Sequence, residues 1–90
     1  MKEYQVVVEH TPDECLRTLD EIADYNPDLL GRFWFTCAEG AHEGTAILEA
    51  SSEAEALEQI PPALRSDADV TPVRRYTMHS VKALHRMAAA

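Results

Sequence analysis

The sequence predicts an α+β fold with the element order β-α-β-β-α-β and one further helix at the C-terminal end. Segments rich in valine and aromatic residues alternate with segments of helical periodicity, and turn residues separate them. Ninety residues suit a single domain, and a hydrophobic content of 46% can supply its core. We therefore expect one domain over residues 1–90, with its core at 3–79 and the last helix at 80–88.

The first strand is predicted at 3–10, where three consecutive valines suit burial on both faces of a sheet. The first helix follows and ends near Tyr25. Thr11 can cap this helix, Pro12 suits its first position, and Glu14 completes a capping box.

The next two strands are predicted at 32–38 and 43–50, joined as a hairpin by a short turn at Gly40. Aromatic residues favour a strand in the first of these segments. In this register Cys37 shares a strand face with Phe33 and Phe35, whereas Trp34 points to the opposite face.

The second half of the chain adds a helix, a strand and a final helix. A capping box at Ser52 begins a helix over 53–60, and the two prolines that follow interrupt it. A fourth strand is predicted at 70–78. Ser80 can cap the last helix, at about 81–88.

This element order predicts the ferredoxin-like arrangement, an antiparallel sheet of strand order 4-1-3-2 with two helices on one face. The other face, which carries Val7, Trp34 and Ile47, stays open in a monomer. We expect a homodimer or higher homo-oligomer to cover this face, with the last helix as an alternative cover.

The element order, the small size and the sheet-face aromatic residues resemble the dimeric α+β barrel superfamily, which includes muconolactone-isomerase-like proteins and small nickel-binding domains. The resemblance extends over residues 3–79 at the level of topology. It implies an oligomer and a small ligand held between helices and sheet, and it carries over no catalytic residue.

Charge and hydropathy exclude several classes of protein. The net charge of −8 argues against a nucleic-acid partner, because phosphate binding needs an excess of basic residues. Residues 1–64 carry a net −11 and residues 65–90 a net +3, an asymmetry that suits self-association. No targeting or membrane-spanning segment is visible, so we expect a soluble, cytoplasmic protein in which both cysteines are reduced.

The predicted topology brings two cysteines and two histidines to one edge of the sheet. The first two strands run parallel, so the end of the first strand, the start of the first helix and the hairpin turn meet there. The residues at these places are His10, Cys15, Cys37 and His42. Thiolate and imidazole ligands suit Zn, Ni or Cu, so this set predicts a transition-metal site, with Cys15 or a nearby Glu as the fourth ligand.

Two other interpretations of the four residues stay open. Cysteines are often small core residues, and each histidine can serve as an ordinary hydrogen-bonded side chain. A thiol at a helix N-terminus also suits redox or nucleophilic chemistry.

Two alternative functions remain beside metal binding. One is an isomerase-like enzyme or carrier with a small-molecule cleft lined by Tyr4, Trp34 and Arg75, in which His10 would serve as general base. The other is an assembly module without chemistry.

Overall fold

The computed structural model describes residues 1–89, and Ala90, the last residue of the predicted domain, lies outside the described residues. The strands are β1 (Lys2–Glu9), β2 (Trp34–Phe35), β3 (Glu43–Ala50) and β4 (Ala68–Val73). The helices are α1 (Cys15–Tyr25), α2 (Pro27–Leu30), α3 (Glu53–Glu58) and α4 (Met78–Ala89). Three 3-10 segments lie at Pro12–Glu14, Cys37–Glu39 and Pro62–Asp67.

The four strands form one antiparallel sheet in the order β2-β3-β1-β4, which is the predicted strand order. Strand β1 pairs with β3 over its whole length, from Lys2 opposite Ala50 to Glu9 opposite Glu43. It pairs on its other side with β4, and β3 pairs with β2. Because β3 runs antiparallel to both β1 and β2, these two strands point the same way, as the sequence predicts.

One face of the sheet carries the core, and helices α1, α2 and α3 contribute buried residues to that core. Alternate residues of β1 and β3 are buried there against Ile22 of α1 and Ala56 of α3. The buried strand residues are Tyr4, Val6, Val8, Ala46, Leu48 and Ala50. The opposite face stays open: the side chain of Trp34 is 82% exposed, and that of Ile47 is 45% exposed. The prediction of an open face bearing these two residues is confirmed.

The second strand is much shorter than the predicted segment 32–38. Only Trp34 and Phe35 pair with β3, and the chain then enters the 3-10 turn Cys37–Glu39. The hydroxyl of Thr36 accepts a hydrogen bond from the backbone N–H of Glu43, at 3.1 Å, and so closes the turn. Cys37 therefore lies in a turn, and its assignment to a strand was wrong.

The fourth strand begins and ends earlier than the predicted segment 70–78, since it spans Ala68–Val73. It ends at Val73, which pairs with Glu3, because β1 begins at Lys2 and offers hardly any backbone beyond that point. Arg75 consequently lies after the strand and is exposed on the surface, where its Nε atom is 3.6 Å from a carboxylate oxygen of Glu3.

The last helix begins earlier than predicted and stands apart from the core. Thr77, and not Ser80, precedes its first turn, and the Thr77 hydroxyl accepts a hydrogen bond from the N–H of Ser80 at 3.1 Å. None of the side chains of α4 is buried. The radius of gyration, 16.1 Å, exceeds the value of about 12 Å expected for a compact chain of this length.

No helix within residues 1–89 is both long enough and apolar enough to cross a lipid bilayer.

Candidate metal centre

Four short segments bring the predicted cysteines and histidines together at one end of the sheet. His10 follows the last residue of β1, and His42 precedes the first residue of β3. The N–H of His10 donates a hydrogen bond to the carbonyl oxygen of His42, at 3.2 Å. This bond extends the β1–β3 ladder by one rung, so it fixes both histidine backbones beside each other.

Cys15 is the first residue of α1, and it follows the 3-10 turn Pro12–Glu14. The carboxylate of Glu14 accepts hydrogen bonds from the backbone N–H and the hydroxyl of Thr11, at 3.2 and 2.9 Å. These hydrogen bonds lower the pKa of Glu14, and the guanidinium of Arg17 beside it lowers this pKa further. The predicted capping pair thus holds the turn that positions Cys15.

Cys37 and His42 occupy the two ends of the turn between β2 and β3. Gly40 has a φ of 89°, in the left-handed region that favours glycine. His42 has a φ of 52°, which is uncommon for a residue with a side chain. The turn therefore holds the His42 imidazole in place at a cost in backbone strain, a feature frequent at functional sites.

The side chains converge closely. The potential ligand atoms of His10, Cys15, Cys37 and His42 all lie within 4.8 Å of one another. The Sγ atom of Cys37 is 3.2 Å from Nε2 of His10. The two imidazole rings meet edge to face, with their centroids 5.6 Å apart. All four residues are half-buried, and both cysteines are free thiols.

Two imidazole nitrogens in the cluster lack an expected partner. Nδ1 of His10 and Nδ1 of His42 are buried, and neither has a hydrogen-bond partner among residues 1–89. Buried polar atoms are nearly always paired with protein, water or an ion. Both nitrogens belong to the cluster that contains the two thiols, so they are available to bind a metal ion.

The environment of Cys37 favours the protonated form of its thiol. Burial raises the pKa of the Cys37 thiol above its ordinary value, and the neighbouring Cys15 raises it further. Two thiolates this close repel each other unless a cation lies between them. A metal ion would supply that cation and would displace the proton from Cys37.

His10 lines two surface clefts that are rich in carboxylates. His10 lines a cleft of about 290 Å³ with Glu14, Glu21 and Asp67, and an adjoining cleft of about 260 Å³ with Glu9. Acidic groups around a cleft raise the local concentration of cations. The guanidinium of Arg17 lines the first of these clefts and pairs with Glu14, so Glu9, Glu21 and Asp67 are the carboxylates that can attract a cation there.

The residues predicted to line a small-molecule cleft are not brought together. Tyr4 is buried on the helix-covered face of the sheet. Trp34 pairs with Thr45, which belongs to the open face, and it lines a shallow depression with Ile47 and Arg32. Arg75 lies near the N-terminus of the chain in a different groove.

Three features of the cluster were not predicted from the sequence: the strain at His42, the position of Cys37 in a turn and the role of Thr36. The spacing Thr36–Glu43 around Gly40 is the signal that could have indicated the closed turn, because threonine hydroxyls often cap such turns.

Comparison with known proteins adds no functional assignment: no protein-family model matches this sequence, and no curated protein and no solved structure matches it.

Proposed function

We propose that this protein binds one transition-metal ion through His10, Cys15, Cys37 and His42. The observation that carries the proposal is the convergence of four ligand atoms, from four separate segments, within 4.8 Å of one another. In a tetrahedral zinc site with bonds of about 2.0–2.3 Å, ligand atoms lie about 3.3–3.8 Å apart. Side-chain rotations that close the cluster by about 1 Å would meet that geometry.

The donor set favours zinc. Two thiolates and two imidazoles form a Cys₂His₂ set, which is typical of structural zinc sites. Copper and nickel also accept sulfur and nitrogen ligands and remain alternatives. Four protein ligands fill a tetrahedral shell and leave no position for a reacting water. The proposed role is therefore to hold the ion, for stability or for transfer, rather than to activate a substrate.

The proposal also includes the fold around the site and the compartment in which the protein works. The strand order and the single helix-covered face support the ferredoxin-like arrangement, in which parallel β1 and β2 deliver His10 and Cys37 to the same edge. Thiolate ligands must stay reduced, and the cytoplasm keeps them so. We accordingly propose a cytoplasmic protein.

Metal content of the purified protein tests the proposal. The chain is purified without a histidine tag, and elemental analysis measures Zn, Ni and Cu per chain. We expect one ion per chain in the native protein, and a content close to background in the variants Cys37→Ser and His10→Ala. The variant His85→Ala is the matched control, since it removes an imidazole from α4 and should leave the metal content unchanged.

Stability gives a second readout. Ligand binding to the folded state alone raises its stability by about 2.7 kcal/mol when the free ligand is at 100 times its dissociation constant. Added Zn²⁺ should therefore raise the melting temperature of the metal-free protein. Absence of bound metal, together with no thermal shift for Zn²⁺, Ni²⁺ or Cu²⁺, contradicts the proposal.

A thiol redox function is a second candidate, and the proximity of Cys15 and Cys37 favours it. Their Sγ atoms lie within 4.8 Å of each other. Hydrogen peroxide would oxidise the two thiols to one disulfide, with release of two waters from each peroxide. Thiol titration before and after peroxide treatment of the metal-free protein tests this: a fall from two thiols to none, without cross-linked dimers, supports an internal disulfide.

A further inference from the structure

We infer that α4 of a second copy of this chain covers the open face of the sheet, in a reciprocal exchange that forms a dimer. The open face is the one opposite α1, α2 and α3. It bears an apolar centre formed by Trp34, Val7 and Ile47. These side chains are exposed or half-exposed in the single chain, and an apolar sheet face of this kind is commonly an interaction surface.

Carboxylates frame this apolar centre. They are Glu3, Glu9, Glu43, Glu49 and Asp69, each at a strand position that points to the open face. In the ladder Glu3 lies directly opposite Glu49, and Glu9 lies directly opposite Glu43. Like charges directly opposite each other on a sheet destabilise it. Within residues 1–89, Glu3 is the only one of these five with an ion pair, to Arg75.

The last helix has the complementary chemistry. The chain carries no acidic residue after Asp69, whereas four basic residues lie beyond it: Arg74, Arg75, Lys82 and Arg86. On α4, Lys82 and Arg86 are four residues apart and share one side. Val81 and Leu84 lie together on a neighbouring side, which makes the helix amphipathic.

Within residues 1–89, this helix has no fully buried side chain, and only Ser80, Val81 and Ala83 are half-buried. A helix that is neither packed nor long is marginal in water, so an isolated α4 needs a surface to stabilise it. Its length, about 18 Å, fits across a sheet whose longest strands extend about 27 Å.

Two copies can cover their open faces either by stacking these faces directly or by exchanging α4, and the charges favour the exchange. Direct stacking of two open faces would bring ten carboxylates into one interface, where Arg32 of each copy balances only part of their charge, at an electrostatic cost. Placing a basic, amphipathic helix on each face pairs opposite charges and buries Trp34 against apolar side chains instead. The acidic sheet face and the basic helix belong to the same chain, so a two-fold pair of copies satisfies both faces at once.

Light scattering combined with charge reversal tests this inference. We expect the native chain to be a dimer, and the variant Lys82→Glu/Arg86→Glu to weaken dimerisation at least tenfold. The conservative variant Lys82→Arg/Arg86→Lys should remain a dimer. The sheet variant Glu49→Lys/Asp69→Lys should also dimerise weakly on its own. Mixing it with the variant Lys82→Glu/Arg86→Glu should produce a heterodimer, because opposite charges then face each other again.

Trp34 is the single tryptophan of the chain, so its fluorescence reports on the open face directly. Emission should shift to shorter wavelength as the protein concentration rises through the dimerisation range. A molar mass of one chain at 100 µM overturns the inference. If the emission of Trp34 in that monomer is that of a shielded tryptophan, α4 covers the sheet of its own chain. A dimer that is indifferent to charge reversal on α4 overturns it as well. Metal content is measured alongside and should not change in any of these variants.

Discussion

The Sγ atom of Cys37 lies 3.2 Å from Nε2 of His10, although the two residues are 27 positions apart in the chain. The contact exists because β1 and β2 run parallel, with β3 between them, and end at the same edge of the sheet. It joins a soft thiol to an imidazole, and Cys15 and His42 complete the cluster around them.

Metal binding should release protons. Burial, with Cys15 nearby, raises the pKa of Cys37, so this residue is a thiol at neutral pH and must lose its proton to bind a metal. We expect the affinity for Zn²⁺ to rise about tenfold per pH unit for each proton released. Calorimetry in buffers of different ionisation enthalpy counts these protons, and an affinity that is constant between pH 6 and pH 8 contradicts the prediction.

The metal-free protein should lose stability at alkaline pH. Because the pKa of Cys37 is higher in the folded chain than its ordinary value of 9.0, the unfolded chain loses this proton first as the pH rises. The contribution of Cys37 is therefore complete below pH 9 and decreases as the pH rises through the folded-state pKa. Thermal melts of metal-free protein should show this decrease, and the variant Cys37→Ser should show a smaller one.

Substitutions of His42 can separate the effect of backbone strain on protein stability from the effect of the imidazole on metal affinity. At a φ of 52°, alanine retains the strain that histidine bears, whereas glycine relieves it. We expect the metal-free variant His42→Gly to be about 1 kcal/mol more stable than His42→Ala, while both lose metal affinity equally. Urea denaturation measures the first difference. Equal stability of the two variants would show that position 42 is not strained.

The convergence of His10, Cys15, Cys37 and His42 was predictable because it depends on strand order, which we inferred from the order of the elements along the chain. The valine run of β1 and the capping residues at Thr11 and Glu14 fix where His10 and Cys15 lie. The position of His42 was likewise predictable, because it directly precedes β3, whose predicted bounds, 43–50, match the structure.

Strand ends were not predictable in the same way, because they depend on pairing between distant segments. Tyr76 has a high strand propensity, but β1 leaves nothing for it to pair with beyond Glu3 opposite Val73. Likewise, Thr36 and Glu43 close the turn around Cys37 through contacts that a strand pattern does not reveal. The amphipathic face of α4 indicates a partner, but propensity alone does not say which surface it meets.

Gly44 should be essential for packing next to the site. A Cβ atom at this position would approach the ring of Phe35 to 2.7 Å and that of Phe33 to 3.2 Å, and these rings stack on each other. We expect Gly44→Ala to destabilise the protein by about 1–3 kcal/mol, as overpacking in cores does. The matched control is Ala38→Gly in the exposed part of the turn. If Gly44→Ala leaves the free energy of unfolding unchanged, the rings of Phe33 and Phe35 move freely.

Thr36 should position the site without binding the ion itself. Its hydroxyl accepts from the N–H of Glu43 at 3.1 Å and contacts the carbonyl oxygen of Glu43 at 3.3 Å, so it holds Cys37 and His42 at a fixed separation. We expect Thr36→Val to weaken Zn²⁺ binding by about 10–100-fold, the usual effect of losing a group that orients metal ligands.

Two further variants show whether Thr36 acts through its hydroxyl. Thr36→Ser keeps the hydroxyl and should restore affinity to within a few-fold of the native value, whereas Thr45→Val, on β3, removes a hydroxyl outside the turn and should have no effect on affinity. Cobalt(II) substitution adds a spectroscopic readout, because its absorption in the visible range reports the coordination geometry. An unchanged affinity and spectrum in Thr36→Val would mean that the backbone hydrogen bonds of the turn, such as that from the N–H of Gly40 to the carbonyl oxygen of Cys37, suffice to hold the ligands.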